Sequence, residues 1–413
     1  MGTPNLVFIH VDQLYHGALQ CEGNPRVRTP HLDALRAQGI RFTSSFSTNP
    51  VCCPARTSWY TGRMSRETGV LDNGYPLQKD IPDLGQWLGG RGIECVYAGK
   101  WHVPHREVQR SFRLLHPGFG VGELADAQVA RVAEAYLQDR SPAAGPFFLN
   151  VGLLNPHDIC FWSHARNPAK YEAAADVAGQ IPPMPAVYDP SLPMPLGPEH
   201  LGYYRYSYDR MVEMVDREVG RVVRAVRQSP HRENTYLIFS SDHGQMNGEH
   251  NHYTKGVPWE EAIRVPLFIV GPGIAPGSTS DHLVSGVDLA ATILDLFGAP
   301  AMPDMNYARS LRPILHGPPV AWRPWNVTEC LIHEVMTVVR TATHKSVHQR
   351  RGVALYDLAK DAHESRDLAS ETAYAGILAE HRRHLAEYLA MIKPCPEPEE
   401  GWGRFGKNLE KEE

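Results

Sequence analysis

Four apolar runs, each ending abruptly in polar residues, constrain this chain most. Residues 6–11 run into Asp12-Gln13, and residues 94–99 into Lys100-Trp101-His102. Residues 146–152 lead to Asn155-Pro156-His157-Asp158, and residues 235–241 end in Asp242-His243-Gly244. Such runs suit strands buried on both faces of a parallel sheet. Helices are expected between them, over 125–138 and over 203–228, where Met211, Val215, Val219, Val222, Val223 and Val226 recur at helical spacing. Ligands in open α/β sheets gather at the carboxyl ends of strands. The polar residues ending these runs therefore stand where a metal or substrate would bind. Taken singly, each has a plainer reading: a turn-capping Asp, a solvated Lys, a hydrogen-bonded structural His.

The turn Val51-Cys52-Cys53-Pro54-Ala55-Arg56 precedes a helical run over 57–61 and then Gly62-Arg63. A thiol at a helix start meets outward-pointing backbone N–H groups and a dipole that favours negative charge. Arg56 adds a fixed cation with a planar donor fork. The turn is thus suited to gather anionic oxygen. Cys52 reads as a low-pKa thiolate, as a residue processed into something else, or as a buried structural cysteine.

The C-x-P-x-R pattern from Cys52, followed by Thr57-Ser58-Trp59-Tyr60-Thr61-Gly62-Arg63, resembles the signature of the type I sulfatases. The resemblance continues in family order. It takes in Thr29-Pro30-His31-Leu32-Asp33, Lys100-Trp101-His102, Pro156-His157, Asp242-His243-Gly244, Gly248-Glu249-His250, Lys255-Gly256 and Glu260-Glu261-Ala262-Ile263-Arg264-Val265-Pro266-Leu267. It spans nearly the whole chain except a Pro-rich stretch over 178–198 and the tail from 393. The stretch reads as a long loop forming a lid or substrate rim, and Trp162, Tyr188 and Trp259 are candidate aromatic rim residues.

The resemblance implies an alkaline phosphatase-like α/β fold: a large, mostly parallel central sheet sandwiched by helices, with a small C-terminal antiparallel sheet plus helix. The expected division is a catalytic domain over 1–333 and a small subdomain with tail over 334–413. It also implies hydrolysis of a sulfate monoester to alcohol and inorganic sulfate. Cys52, rather than Cys53, would be converted to Cα-formylglycine, whose hydrated gem-diol is the nucleophile. Asp12, Gln13, Asp242, His243 and an oxygen of modified Cys52 would hold one divalent metal. Calcium fits the oxygen-rich set best, and the histidine leaves Mg²⁺ or Mn²⁺ open. Family members commonly carry a second Asp where Gln13 stands, so this site has one negative charge fewer.

By the same resemblance Arg56 orients the diol, and Lys100 and Lys255 bind sulfate oxygens. His157 is the candidate acid for the leaving alcohol, and His102 the base that releases sulfate. Asp242 is a second candidate base, toward the attacking hydroxyl. The partners implied are a formylglycine-generating enzyme and a small-molecule or carbohydrate sulfate ester, whose alcohol stays open among aryl, alkyl, choline-like and sugar groups. The nearest rival is a phosphonate or phosphate monoester hydrolase on the same scaffold. A plain cysteine hydrolase and a non-catalytic binding protein are the others.

The net charge of −5 argues against a general nucleic-acid footprint, and no long uncharged apolar run reads as a membrane span. Seven scattered cysteines without a CxxC argue against a disulfide framework. The first strand follows Met1 almost directly, with no basic leader or cleavage site, so a cytoplasmic location is expected. The tail, with Trp402 and Phe405, reads as solvated or as an arm on a neighbouring subunit of a homo-oligomer.

Overall fold

The structure is a computed structural model that describes residues 2–162, 179–192, 197–317, 320–332 and 334–395, leaving out the side chains of residues 162, 198 and 199. Part of the 178–198 stretch, the Trp162 side chain and the tail beyond 395 therefore lie outside the described residues.

Among the described residues, nine strands come first: β1 Asn5–Asp12, β2 Ile40–Phe42, β3 Ser45–Phe46, β4 Glu94–Gly99, β5 Arg113–His116, β6 Phe147–Pro156, β7 Thr235–Ser241, β8 Leu267–Val270 and β9 Ser278–Ser280. Eight of them, all but β3, form one sheet in the order β5-β4-β6-β1-β7-β8-β2-β9. Pairing is parallel from β5 to β7, and β8 runs antiparallel to both its neighbours. β10 (Val284–Ser285) pairs with β3.

Alternation along the central strands assigns each side chain to one of two cores. Val7, Ile9 and Val11 of β1, with Phe147, Leu149 and Val151 of β6, pack against helices Gly122–Gln138 and Pro198–Gln228. Leu6, Phe8 and Phe148 face the other way, toward helices Cys52–Thr61, Leu84–Gly89 and Val287–Leu296. This is the expected sandwiched sheet. β1 is buried at every position, as a strand covered on both faces must be.

A second sheet takes β11 Trp325–Cys330, β12 Met336–Thr341, β13 His344–Gln349 and β14 Gly352–Asp357 in simple antiparallel order, with helix Ala375–Met391 beside it. The division expected at residue 334 falls between β11 and β12, inside this sheet. The pattern of β11 hid it, because the strand buries Asn326, Thr328 and Glu329 among its apolar residues. Glu329 is tolerated there because Tyr388 and Arg66 bond its carboxylate. The described part of the Pro-rich stretch, 179–192, is pinned to the segment after β7. Glu249 accepts from the backbone of Ala186 and Val187, each at 3.0 Å. Among the described residues, no helix is long and apolar enough to cross a membrane.

Candidate active site

The helix expected over 57–61 begins earlier, at Cys52 itself, and ends at Thr61. Pro54 looks like a helix breaker, yet a first-turn proline loses no hydrogen bond, because its N–H would have been unpaired anyway. Val51 provides no side-chain cap. The dipole end of a wholly buried helix therefore opens directly onto Cys52.

Around that thiol, strand ends from across the sheet converge. Asp12 ends β1, while Asp242 and His243 follow β7. One ligand atom each from Asp12, Cys52, Asp242 and His243 lie within 4.8 Å of one another, and all four residues are buried. His243 Nε2 is 3.2 Å from Cys52 Sγ and 3.7 Å from Asp242 Oδ1. Its Nδ1–H donates to the Gly244 carbonyl at 2.9 Å, which leaves the Nε2 lone pair for the cluster. Two carboxylates and a correctly presented imidazole fit a divalent cation.

Three cations answer these charges. Arg56, fully buried, donates from Nε to Asp242 at 2.8 Å and from Nη2 to Asp12 at 3.0 Å. Lys100 Nζ lies 2.7 Å from Asp12 Oδ2. Lys255 Nζ donates to Gln13 Oε1 at 2.6 Å and to Cys52 Sγ at 3.3 Å. Burial works against the Asp12 charge, but Lys100, His157 and Arg56 outweigh it and hold the carboxyl well below its usual range. Asp242 is pushed up by burial and by the Asp12 charge, against the pull of His243 and Arg56. Burial and Asp12 oppose the Cys52 thiolate, yet Lys255, Lys100 and His243 bring its pKa well below that of a free thiol. The neighbouring Cys53 faces the apolar core, and burial raises its thiol to about 12. Of the two adjacent cysteines, only Cys52 is placed for chemistry.

Gln13 borders the cluster in the left-handed region, φ 71°. Its backbone N–H donates to Asp242 Oδ1 at 3.0 Å. Its Nε2 is taken by Gln245 Oε1 at 2.9 Å, so the amide oxygen is the end turned to Lys255. His157 stands beside Asp12 and Cys52. Burial lowers its pKa, but Asp12 outweighs that and lifts it to about 9.

His102 is placed differently from expectation. Strand alternation was to aim Lys100 and His102 into one pocket, but β4 stops at Gly99 and His102 has φ 51°. The strand period no longer applies there. His102 is exposed, and among the described residues it has no hydrogen bond to the cluster. His250 stacks on Trp259 at 3.8 Å, and Trp259 packs edge-on against Tyr356 of β14. Both serve the junction between the two sheets.

Sequence reasoning passed over His10, Tyr60, Tyr97 and Gln245. Arg56 Nη1 reaches His10 Nδ1 at 3.3 Å, while both tyrosine hydroxyls lie 3.2 Å from His10 Nε2. Burial and Arg56 keep His10 well below its ordinary pKa, hence neutral. A histidine inside a strand buried on both faces was the available signal, since a buried imidazole needs partners.

Comparison with known proteins agrees with this geometry. The family model described as Sulfatase matches residues 4–299, and that described as N-sulphoglucosamine sulphohydrolase, C-terminal, matches 248–390. The chain is 27% identical to Delta 4,5-hexuronate-2-O-sulfatase of Bacteroides thetaiotaomicron, over 94% of this chain and 89% of that protein. A solved structure of a 2-O GAG sulfatase superposes with a TM-score of 0.81 at 26% identity, covering 94% of this chain and 92% of that one. The phosphonate monoester hydrolase of Agrobacterium radiobacter gives 0.77 at 22% identity, over 94% and 95%, a likeness of fold alone.

Proposed function

The chain belongs to the sulfatase family and is a sulfuric ester hydrolase, and from that premise we propose that Cys52, converted to formylglycine by a dedicated maturation enzyme, is its nucleophile. The observation that carries this is the convergence of Asp12, Asp242, His243 and Lys255 on the one sulfur of Cys52, with Lys100 paired to Asp12 beside it. Asp12, Asp242 and His243 would hold one divalent cation, with Gln13 Oε1 beside them. When bound, that cation supplies positive charge against the sulfate oxygens and the nucleophile. The oxygen donors suit Ca²⁺, while the imidazole and the neutral Gln13 amide keep Mg²⁺ and Mn²⁺ in play.

Arg56 fixes both carboxylates and balances their charge. Lys100 and Lys255 bind the sulfate oxygens, where negative charge gathers in the transition state. His157, whose raised pKa keeps it protonated at neutral pH, donates a proton to the leaving alcohol. By the family resemblance His102 is the candidate base for product release. Carbohydrate sulfates are the first natural substrates to assay, because one relative similar over most of the chain is named Delta 4,5-hexuronate-2-O-sulfatase.

Metal binding has its own test. Titrating metal-stripped protein with Ca²⁺, Mg²⁺ or Mn²⁺ should raise its Tm, since ligand at 100 Kd stabilises the folded state by about 2.7 kcal/mol. A Tm that none of the three moves would remove the cation from this site.

The exposed position of His102 favours one second reading, a phosphonate monoester hydrolase, because the Lys100–His102 pair is what argues for sulfate. Matured protein is expected to prefer 4-nitrophenyl sulfate to phenyl 4-nitrophenyl phosphonate by about 100-fold in kcat/KM, or ~2.7 kcal/mol of transition-state discrimination. The reverse preference would move the chain to the rival activity.

A further inference from the structure

The segment that carries His157 is bound to a neighbouring helix from both sides. Asp126, inside helix Gly122–Gln138, accepts the backbone N–H groups of Leu154 at 2.6 Å and Asn155 at 2.9 Å. In the other direction, Asp158 Oδ2 accepts the backbone N–H of Gly122, the first residue of that helix. The clasp is tight: a Cβ on Gly122 would stand 2.7 Å from Asn155 Nδ2. It leaves little freedom to the short stretch between Asn155 and Asp158.

Only one Asp158 oxygen is used in this way. Its Oδ1 is buried without a hydrogen-bond partner, and so is His157 Nδ1. The two atoms lie 4.0 Å apart. A buried polar atom left unpaired costs about 1–3 kcal/mol, and more when charged. Each of these atoms is the remedy for the other, and a small turn of the ring brings them into bonding range. Catalytic hydrogen bonds in ligand-free proteins are often long and tighten in the substrate complex. The Phe161 ring packs T-shaped against the imidazole, 5.8 Å away centroid to centroid.

We infer that Asp158 is a positioning residue for His157: its free oxygen takes the Nδ1–H, fixes the ring orientation and presents Nε2–H to the leaving oxygen. The inference rests on the reading of His157 as the acid. As an oxygen of the matured Cys52 side chain bonds to the sulfate sulfur, the S–O bond to the alcohol breaks; its electron pair goes to the leaving oxygen, which takes the Nε2 proton. The Nδ1 proton stays on the imidazole, held by Asp158. The ring is left neutral and regains a proton from water.

Asp158→Asn keeps an acceptor for Gly122 but offers His157 an N–H, which favours the wrong tautomer. General acid assistance is worth about 10²–10⁴-fold where the leaving group needs a proton. Asp158→Asn should therefore lower kcat/KM for phenyl sulfate by about 100-fold. For 4-nitrophenyl sulfate, whose phenolate leaves unaided, the loss should stay below about 5-fold. Equal losses on both substrates would mean a purely structural role, and no loss on either would mean no role; each outcome overturns the inference. His157→Ala serves as the control for the reading beneath it. If its loss does not grow as the leaving group worsens, His157 is not the acid, whatever Asp158 does. Should Asp158→Asn fail to fold, the ¹⁵N spectrum of histidine-labelled wild-type protein decides, assigned by the signal lost in His157→Gln. A protonated Nδ1 is expected, and a deprotonated one overturns the proposal.

Discussion

Replacing Cys52 with alanine is expected to abolish turnover and leave the fold intact. The sulfur lies 3.2 Å from His243, 3.3 Å from Lys255 and 3.6 Å from Asp12. Its contacts are with polar groups of the site rather than with the apolar cores. Alanine at the first position of helix Cys52–Thr61 keeps the backbone and removes the nucleophile. Loss of a covalent nucleophile should lower kcat/KM by at least about 10⁴-fold. The thermal midpoint should move by less than about 3 °C, the effect of ~1 kcal/mol or less in a chain of this size. Cys53→Ala is the matched control. That thiol packs in the core, so its loss should cost about 1 kcal/mol of stability and little activity. A Cys52→Ala protein that still turned over, or a Cys53→Ala protein that did not, would sink the assignment.

The contrast between the two cysteines shows where the sequence is legible. Strands β1, β4, β6 and β7 could be read because both their faces are buried, which leaves near-continuous apolar runs. Their ends could be read because the chemistry of an α/β sheet collects at strand carboxyl ends. Asp12, Lys100, His157, Asp242 and His243 all stand at or just past those ends, but it was the resemblance, not position alone, that singled them out from capping or surface residues. What could not be read depends on partners far away in sequence. The Gln13 amide is oriented by Gln245, 232 positions later. Asp158 bonds the start of a helix 36 residues earlier. The departure of His102 from strand geometry is a backbone event, φ 51°, that no side-chain period announces. β11 hid its strand character because its buried Glu329 is satisfied from helix Ala375–Met391 and from Arg66. Local pattern fixes which face a residue takes; tertiary hydrogen bonds decide which polar residues can stay inside.

Arg56→Met should produce the largest loss of stability of any single change at the site, and the loss should depend on pH. The guanidinium has no exposure to solvent and bonds Asp242, Asp12 and the Lys100 carbonyl from three different nitrogens. Methionine fills much of the same volume but leaves two buried carboxylates short of a cation. Breaking a buried ion pair from one side costs about 3–5 kcal/mol. Asp242 is already raised by burial and by Asp12, and Arg56 is one of the groups that restrain it. Without Arg56 its folded-state pKa rises further above the unfolded value. A carboxyl raised on folding adds no penalty while both states are protonated, and it costs stability as pH climbs from the unfolded pKa through the folded one. The variant's deficit in urea unfolding should accordingly be larger at pH 8 than at pH 5. A saturating divalent cation should restore part of it by neutralising the same two carboxylates. Arg56→Lys should recover only part of the loss, because one ammonium cannot reproduce the fork that reaches both carboxylates and a carbonyl. A deficit below about 1 kcal/mol, or one that does not change with pH, would mean that the two aspartates do not share their charge through this arginine.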